Sequence, residues 1–155
     1  WLCHFILGLG LSLAPVGAYI AVTGRFRLIP VMFSLMVLTW VSGFDIIYSL
    51  QDDQFDRENR LLSIPSVKGR KLALTISGII HLFTMALVLA AGLILRGGVF
   101  YWAGAVLFIL LLVYQHMIVK PEDISRVNLA FSTLNGIGSI IFAFFVITDL
   151  FYYYG

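Results

Sequence analysis

Five long apolar runs, separated by short polar stretches, set the pattern of the chain. They cover residues 1–22, 30–50, 72–95, 99–119 and 127–154. A helix needs roughly 20 residues to cross a hydrocarbon core, and each run is about that long or longer. Backbone polar groups in lipid must be satisfied within the span itself, so all five runs are expected to be α-helices. The expected fold is an all-α, polytopic membrane helix bundle, with residues 1–155 forming a single transmembrane domain.

The polar stretches assign a direction. The stretch before the third run carries Arg57, Arg60, Lys68, Arg70 and Lys71, and the one before the fifth carries Lys120 and Arg126. The other two connections hold Arg25, Arg27 and Arg96. Basic residues collect on the cytoplasmic side of membrane proteins, so the loop over 51–71 is expected in the cytoplasm, at a bacterial inner membrane.

Composition agrees with this picture. Hydrophobic residues make up 61% and charged residues 12%, against about a quarter charged in soluble domains. A soluble fold of this length lacks the interior to hide so much apolar surface, so a lipid bilayer is an expected partner. A net charge of +2 with no basic face excludes nucleic acid as a partner. The single cysteine, Cys3, rules out an intrachain disulfide and is expected to be a packing residue. Trp1 opens directly inside an apolar run, with no basic segment or cleavage site before it. No signal peptide is expected, and the sequence reads as a piece of a longer chain.

Several residues carry structural expectations. Gly10, Ala14, Gly17, Ala18 and Ala21 form a small-residue stripe that would let another helix approach, and Pro15 is a candidate kink. Asn128, Ser132, Asn135 and Ser139 form a polar stripe that faces a neighbouring helix or a cavity. The aromatic tail 151–154 is expected at the interface opposite the cytoplasm. His4, His81 and His116 are expected to be hydrogen-bonded intramembrane histidines. Asp149 is expected to reach interfacial water. Gly97 and Gly98 make a turn, and residues 120–125 stop one helix and cap the next.

Asp45 is the anomaly, because an ionised carboxylate inside an apolar helix is costly unless paired or hydrated. At about 100° per residue, Asp52 and Asp56 return to within about 20° of the Asp45 face, whereas Asp53 lies about 80° away. A helix continuing through Asp56 would carry one acidic stripe from the membrane into the cytoplasmic mouth. Asp53, Arg57 and Glu58, taken singly, read as a solvated loop. Clustered carboxylates repel each other and stay ionised together most readily around a cation. Oxygen-only ligands suit Mg²⁺, which keeps room for phosphate oxygens. The basic residues that follow, Arg57, Arg60 and Lys68 among them, could take other phosphate oxygens. The pattern fits a phosphorylated lipid, its tail lying along the helices.

The run from Asp45 through Tyr48, Asp52 and Asp56 to Arg57, followed by Ser63-Ile64-Pro65, resembles the second aspartate-rich motif of the UbiA superfamily of intramembrane prenyltransferases. The nearest likeness is to its 4-hydroxybenzoate polyprenyltransferase group, including relatives in menaquinone synthesis. Asp52 and Asp56 match the Asp-x-x-x-Asp, while Asp45 and Tyr48 match the acidic-aromatic pattern upstream. The likeness extends over most of the chain, including Leu13-Ala14-Pro15-Val16-Gly17.

The resemblance implies the second half of a nine-helix bundle with a central cavity. It also implies Mg²⁺-dependent transfer of a polyprenyl group from prenyl diphosphate to an aromatic acid such as 4-hydroxybenzoate, in ubiquinone or menaquinone biosynthesis. Asp52 and Asp56 would hold metal, Arg57, Arg60 and Lys68 the diphosphate, and Asp45 and Tyr48 would join the catalytic set. Phe44 and Tyr48 flank the acids and could stabilise a developing allylic cation. The family's first aspartate motif is not found here, so the missing N-terminal half is an expected partner, and the fragment alone is expected to be inactive. A CDP-alcohol phosphotransferase would need an Asp-Gly pair that this chain lacks. A transporter with an acidic ion path would need acids on more than one helix facing a common pore.

Overall fold

The computed structural model describes residues 2–154, with side chains through Tyr153. Trp1, and the Tyr154 side chain of the aromatic tail, lie outside the described set. In chain order the elements are α1 (Cys3–Thr23), α2 (Leu28–Tyr48), a 3₁₀ turn (Ser49–Gln51), α3 (Asp53–Glu58) and α4 (Ile64–Lys68). There follow α5 (Arg70–Leu95), α6 (Val99–Ile118), a π-helical segment (Leu129–Leu134) and α7 (Asn135–Tyr154). Each apolar run has become one long helix, and five helices are long and apolar enough to cross a membrane.

Local chemistry sets the ends. Gly24 closes α1 with a left-handed φ of 63°, its N–H returning to the Ile20 carbonyl at 2.8 Å. Pro30 sits in the first turn of α2, where a missing N–H costs nothing. The loop expected between the second and third runs is itself partly helical. Ser63 caps α4, its hydroxyl accepting from the Ser66 N–H at 3.3 Å.

α1 meets α2 through a different face from the one its small residues suggest. His4, Gly8 and Ser12 are buried, one helical turn apart. A Cβ at Gly8 would stand 2.7 Å from the Leu38 carbonyl, so glycine is what permits the contact. Gly10 and Gly17 face open space, and Ala14, Ala18 and Ala21 are exposed. The expected stripe is therefore not a contact within this bundle. Cys3 is exposed as well, not a packing residue.

Two buried clusters hold the helices together. Met32, Met36, Val88, Tyr101, Phe108, Leu112 and Phe142 join α2, α5, α6 and α7 in mid-bundle. Ile46, Ile47, Leu50, Ile64, Ala73, Val119 and Val127 form the second, which ties segment 49–71 to the bundle. At the opposite end, Asp149 is buried, not hydrated. Its two oxygens accept from the N–H groups of Gly98 (2.9 Å) and Tyr101 (3.1 Å), capping the first turn of α6. Phe151, Tyr152 and Tyr153 of the aromatic tail are exposed nearby.

The π-helical segment resolves the polar stripe of the last run. Asn135 is buried: its amide N–H groups reach the carbonyls of Ala130 (2.9 Å) and Phe131 (3.1 Å), and its oxygen accepts from the Trp40 indole at 3.0 Å. Carbonyls displaced from the regular ladder thus find a donor, and α7 is tied to α2. Asn128 accepts from Gln51 at 3.1 Å, and Ser132 is exposed.

Candidate active site

The acidic segment does not continue as one helix. α2 ends at Tyr48, where the Ser49 hydroxyl donates back to the Ile46 carbonyl at 2.9 Å and competes with the regular ladder. A 3₁₀ turn follows, and Asp52 takes φ −97°, ψ 4° before the chain sets out again as α3. The continuous stripe expected from Asp45 through Asp56 is therefore broken into two groups.

The first group is Asp52 with Asp56. They lie four residues apart, Asp52 as the N-cap of α3 and Asp56 in its first turn, and the Asp56 N–H donates to the Asp52 carbonyl at 2.8 Å. Asp52 is exposed and Asp56 half-buried. Among the described residues neither forms an ion pair.

Asp53, expected on a solvated loop, is the best-anchored acid of the segment. Its two oxygens take both arms of Arg70, each at 2.9 Å, and Arg57 adds a third contact at 3.2 Å. The Arg70 hydrogen bonds hold its carboxyl below the usual carboxylate range, with the charges of Arg70 and Arg57 adding to that and burial opposing it. This latch fixes α3 against the start of α5.

The basic candidates are placed unequally. Arg57 is half-committed, bound to Asp53 and, at 3.4 Å, to the Pro65 carbonyl, with its side chain 53% exposed. Arg60 stands exposed at a left-handed φ of 56° where the chain turns away from α3. Lys68 is exposed in the last turn of α4.

Asp45 forms the second group, with a partner that periodicity could not supply. The His4 Nδ1 lies 2.6 Å from its Oδ2, and His4 Nε2 accepts from the Ile64 N–H at 3.4 Å. From the same end of α2 a row of aromatic rings runs into the bundle. Tyr48 stacks on Phe131 at 4.0 Å between centroids, and Phe131 meets Phe44 edge-on at 5.4 Å. Phe44 meets Trp40 at 5.4 Å, Trp40 meets Phe108 at 5.5 Å, and Phe108 stacks on Phe142 at 5.1 Å. Trp40, Phe108, Phe142 and Phe33 line a cavity of about 270 Å³ at the inner end of this row. Phe33 also borders a second cavity of about 550 Å³, which continues toward Arg27 and Leu150. The 550 Å³ void is thus remote from the acids, and the aromatic row runs toward it from the Tyr48 end of α2. Phe131 was not foreseen, because the π-helical segment that turns it toward Tyr48 has no signature at a 3.6-residue period.

The remaining histidines pair with each other. His81 Nδ1 is 2.8 Å from His116 Nε2 and 2.9 Å from the Gln115 amide, and His81 Nε2 lies 3.2 Å from the Trp40 carbonyl. Every heteroatom of His81 is used in joining α5 to α2 and α6. Among the described residues no three His, Cys, Asp or Glu side chains gather into a metal-holding group. Two carboxylates across the first turn of α3, with no ion-pair partner among the described residues, fit a hard divalent ion that completes its shell with other oxygens.

Comparison with known proteins bears on this arrangement. The model of the UbiA prenyltransferase family matches residues 1–148. A 4-hydroxybenzoate octaprenyltransferase of Francisella tularensis subsp. novicida is 28% identical over 144 residues, covering 93% of this chain and 50% of the relative. One of Nitrosomonas europaea is 26% identical over 147 residues, covering 94% and 49%. The chain therefore spans about half the length of the curated relatives it matches. Among solved structures, the apo form of a UbiA homolog from Aeropyrum pernix K1 superposes with a TM-score of 0.81 at 30% identity, over 95% of this chain and 55% of that one. With five membrane-length helices and a family match over nearly its whole length, this chain is an integral membrane protein and belongs to the UbiA prenyltransferase family.

Proposed function

We propose that these residues form part of an enzyme that transfers a polyprenyl group from a prenyl diphosphate to an aromatic acid of the 4-hydroxybenzoate type, in quinone biosynthesis. The observation that carries the reading is the pairing of Asp52 with Asp56 across the first turn of α3, with no ion-pair partner among the described residues, while a row of aromatic rings leads into the bundle from Tyr48, four residues before Asp52.

Asp52 and Asp56 would hold Mg²⁺, which when bound supplies positive charge against the diphosphate oxygens. Arg60 and Lys68 are free to hydrogen-bond phosphate oxygens, and Arg57 offers the donors that Asp53 does not use. The apolar tail lies along the aromatic row toward the inner cavities. The allylic C–O bond breaks with its electron pair leaving on the diphosphate. The faces of Tyr48, Phe44 and Phe131 stabilise the positive charge that develops on the prenyl carbon. The acceptor ring then forms the new C–C bond from its π electrons and releases a proton. Closely packed rings exclude water, which would otherwise capture the cation as an alcohol.

In this reading the loop over 51–71 faces the cytoplasm at a bacterial inner membrane. Residues outside these 155 supply the rest of the diphosphate site, so the chain alone does not turn over. The test is incubation of the full-length protein in membranes with labelled octaprenyl diphosphate and 4-hydroxybenzoate, with and without Mg²⁺. Metal-dependent appearance of label in the prenylated acid is expected. Metal-independent transfer, or none to any hydroxybenzoate, contradicts the reading, as does turnover by the isolated 155 residues for the claim that they are insufficient.

A further inference from the structure

We propose that His4 is a positioning residue of this site, which aims the Asp45 carboxylate at the aromatic acceptor; the inference rests on the prenyltransferase reading above. The hydrogen bonds fix the state of the ring. The Ile64 N–H can only donate, so His4 Nε2 is its acceptor and carries no proton. In the neutral imidazole the proton then sits on Nδ1 and is donated to Asp45 Oδ2 across 2.6 Å. Both ring nitrogens are committed, one to α2 and one to the backbone at the start of α4.

The ring is also held from behind. His4 is buried, and its carbonyl accepts from the Ser42 hydroxyl at 3.2 Å, which fastens the first turn of α1 to α2 three residues before Asp45. Tight contact at Gly8 continues the same seam. The imidazole therefore cannot swing without separating α1 from α2, and Asp45 Oδ2 is held with it. The Asp45 side chain is 20% exposed, and among the described residues its Oδ1 makes no hydrogen bond. A carboxylate with one oxygen tied and one open is a directed acceptor.

Depth decides what that oxygen meets. Asp45 lies inside α2, one turn before its end at Tyr48, whereas Asp52 and Asp56 lie beyond the 3₁₀ turn at the mouth. It shares its turn of α2 with Phe44 and Tyr48, and in the prenyltransferase reading that depth sets it by the reacting carbon of an allylic diphosphate and not by its phosphates. The group it suits is a hydroxyl donor on an aromatic ring, the chemistry of a hydroxybenzoate acceptor. His4 thus acts on acceptor binding through Asp45, and diphosphate binding is left to Asp52 and Asp56.

The test uses the full-length protein in membranes, with octaprenyl diphosphate and 4-hydroxybenzoate varied separately and rates normalised to folded protein. His4→Leu removes both ring contacts. It is expected to raise the KM for 4-hydroxybenzoate about tenfold while the KM for octaprenyl diphosphate stays within about twofold. His4→Asn places an amide N–H where Nδ1–H stands and is expected to recover most of that loss. In an Asp45→Asn background His4→Leu should add less than about twofold, since both changes remove one interaction. Asp45→Asn keeps the shape of the site and is expected to show the same acceptor-selective rise, which keeps the test decisive should His4→Leu fail to fold. Equal changes in both KM values, a loss confined to the amount of folded protein, or no recovery in His4→Asn overturns the role. Absence of transfer by the wild-type protein removes the prenyltransferase reading, and this role with it; wild-type transfer with an unchanged acceptor KM in Asp45→Asn removes this role alone.

Discussion

Asp149 and Asp52 stand at opposite ends of the bundle, and their oxygens are used differently. Both Asp149 oxygens accept backbone N–H groups at the start of α6, inside a buried pocket of protein. Among the described residues Asp52 and its neighbour Asp56 have no such donors, although Asp53, between them, is held by two arginines. Carboxylates satisfied by the protein serve the fold, and those left unsatisfied at a membrane surface are available to a ligand. The same chemical group is therefore either tied down or left open within one short segment, decided by what faces it.

Substitution should separate the two kinds of acid. The largest effect is expected at the open pair: Asp52→Ala or Asp56→Ala should lower prenyl transfer by about 10²–10³-fold with the melting temperature in detergent unchanged. Asp53→Ala should do the reverse. It removes the charged hydrogen bonds of the part-exposed Arg70 and is expected to cost about 2 kcal/mol of stability, read as a lowered melting temperature. Retained stability in Asp53→Ala would dissolve the contrast between the open acids and the latched one.

Asp149→Ala should cost about 1–2 kcal/mol through the lost cap, with transfer per folded molecule preserved. A large loss of specific activity there would mean that the far end is not purely structural. Acid should act on the latch in a definite direction. The folded-state carboxyl of Asp53 lies below its ordinary value, so its stabilisation is complete above the unfolded value of about 4 and is lost as pH falls through the lower folded value. The difference in melting temperature between wild type and Asp53→Asn should therefore be constant from about pH 5 to 8 and shrink below about pH 4. The smallest effect is expected for Phe131→Leu. It keeps most of the apolar volume but removes the ring stacked on Tyr48, and a drop in kcat of about threefold to tenfold is expected.

These contrasts show what could be read from sequence. The five membrane-length helices were legible because unbroken apolar runs of that length admit few alternatives. That Asp52 and Asp56 stand one turn apart was legible from their four-residue spacing, which the Asp56 N–H to Asp52 carbonyl bond preserves. The extension of that helix back to Asp45 was not, since Ser49-Leu50-Gln51 contains no Gly or Pro to announce a break. Local periodicity carries no information about partners far along the chain. The donor to Asp45 lies 41 residues away and the second arginine on Asp53 lies 17 away, so periodicity alone leaves one acid without its partner and the other on a solvated loop. Asp149 failed for a related reason: position near the end of a run suggested water, but the start of α6 reached it first.

The most direct test places the open and latched acids side by side. Transfer rate per mole of folded full-length protein is measured at saturating Mg²⁺ for Asp52→Ala and for Asp53→Asn. A rate reduced about 10²-fold or more in the first, with the second close to wild type, is the expected result. Wild-type transfer by Asp52→Ala would contradict the assignment of the open pair to the diphosphate site.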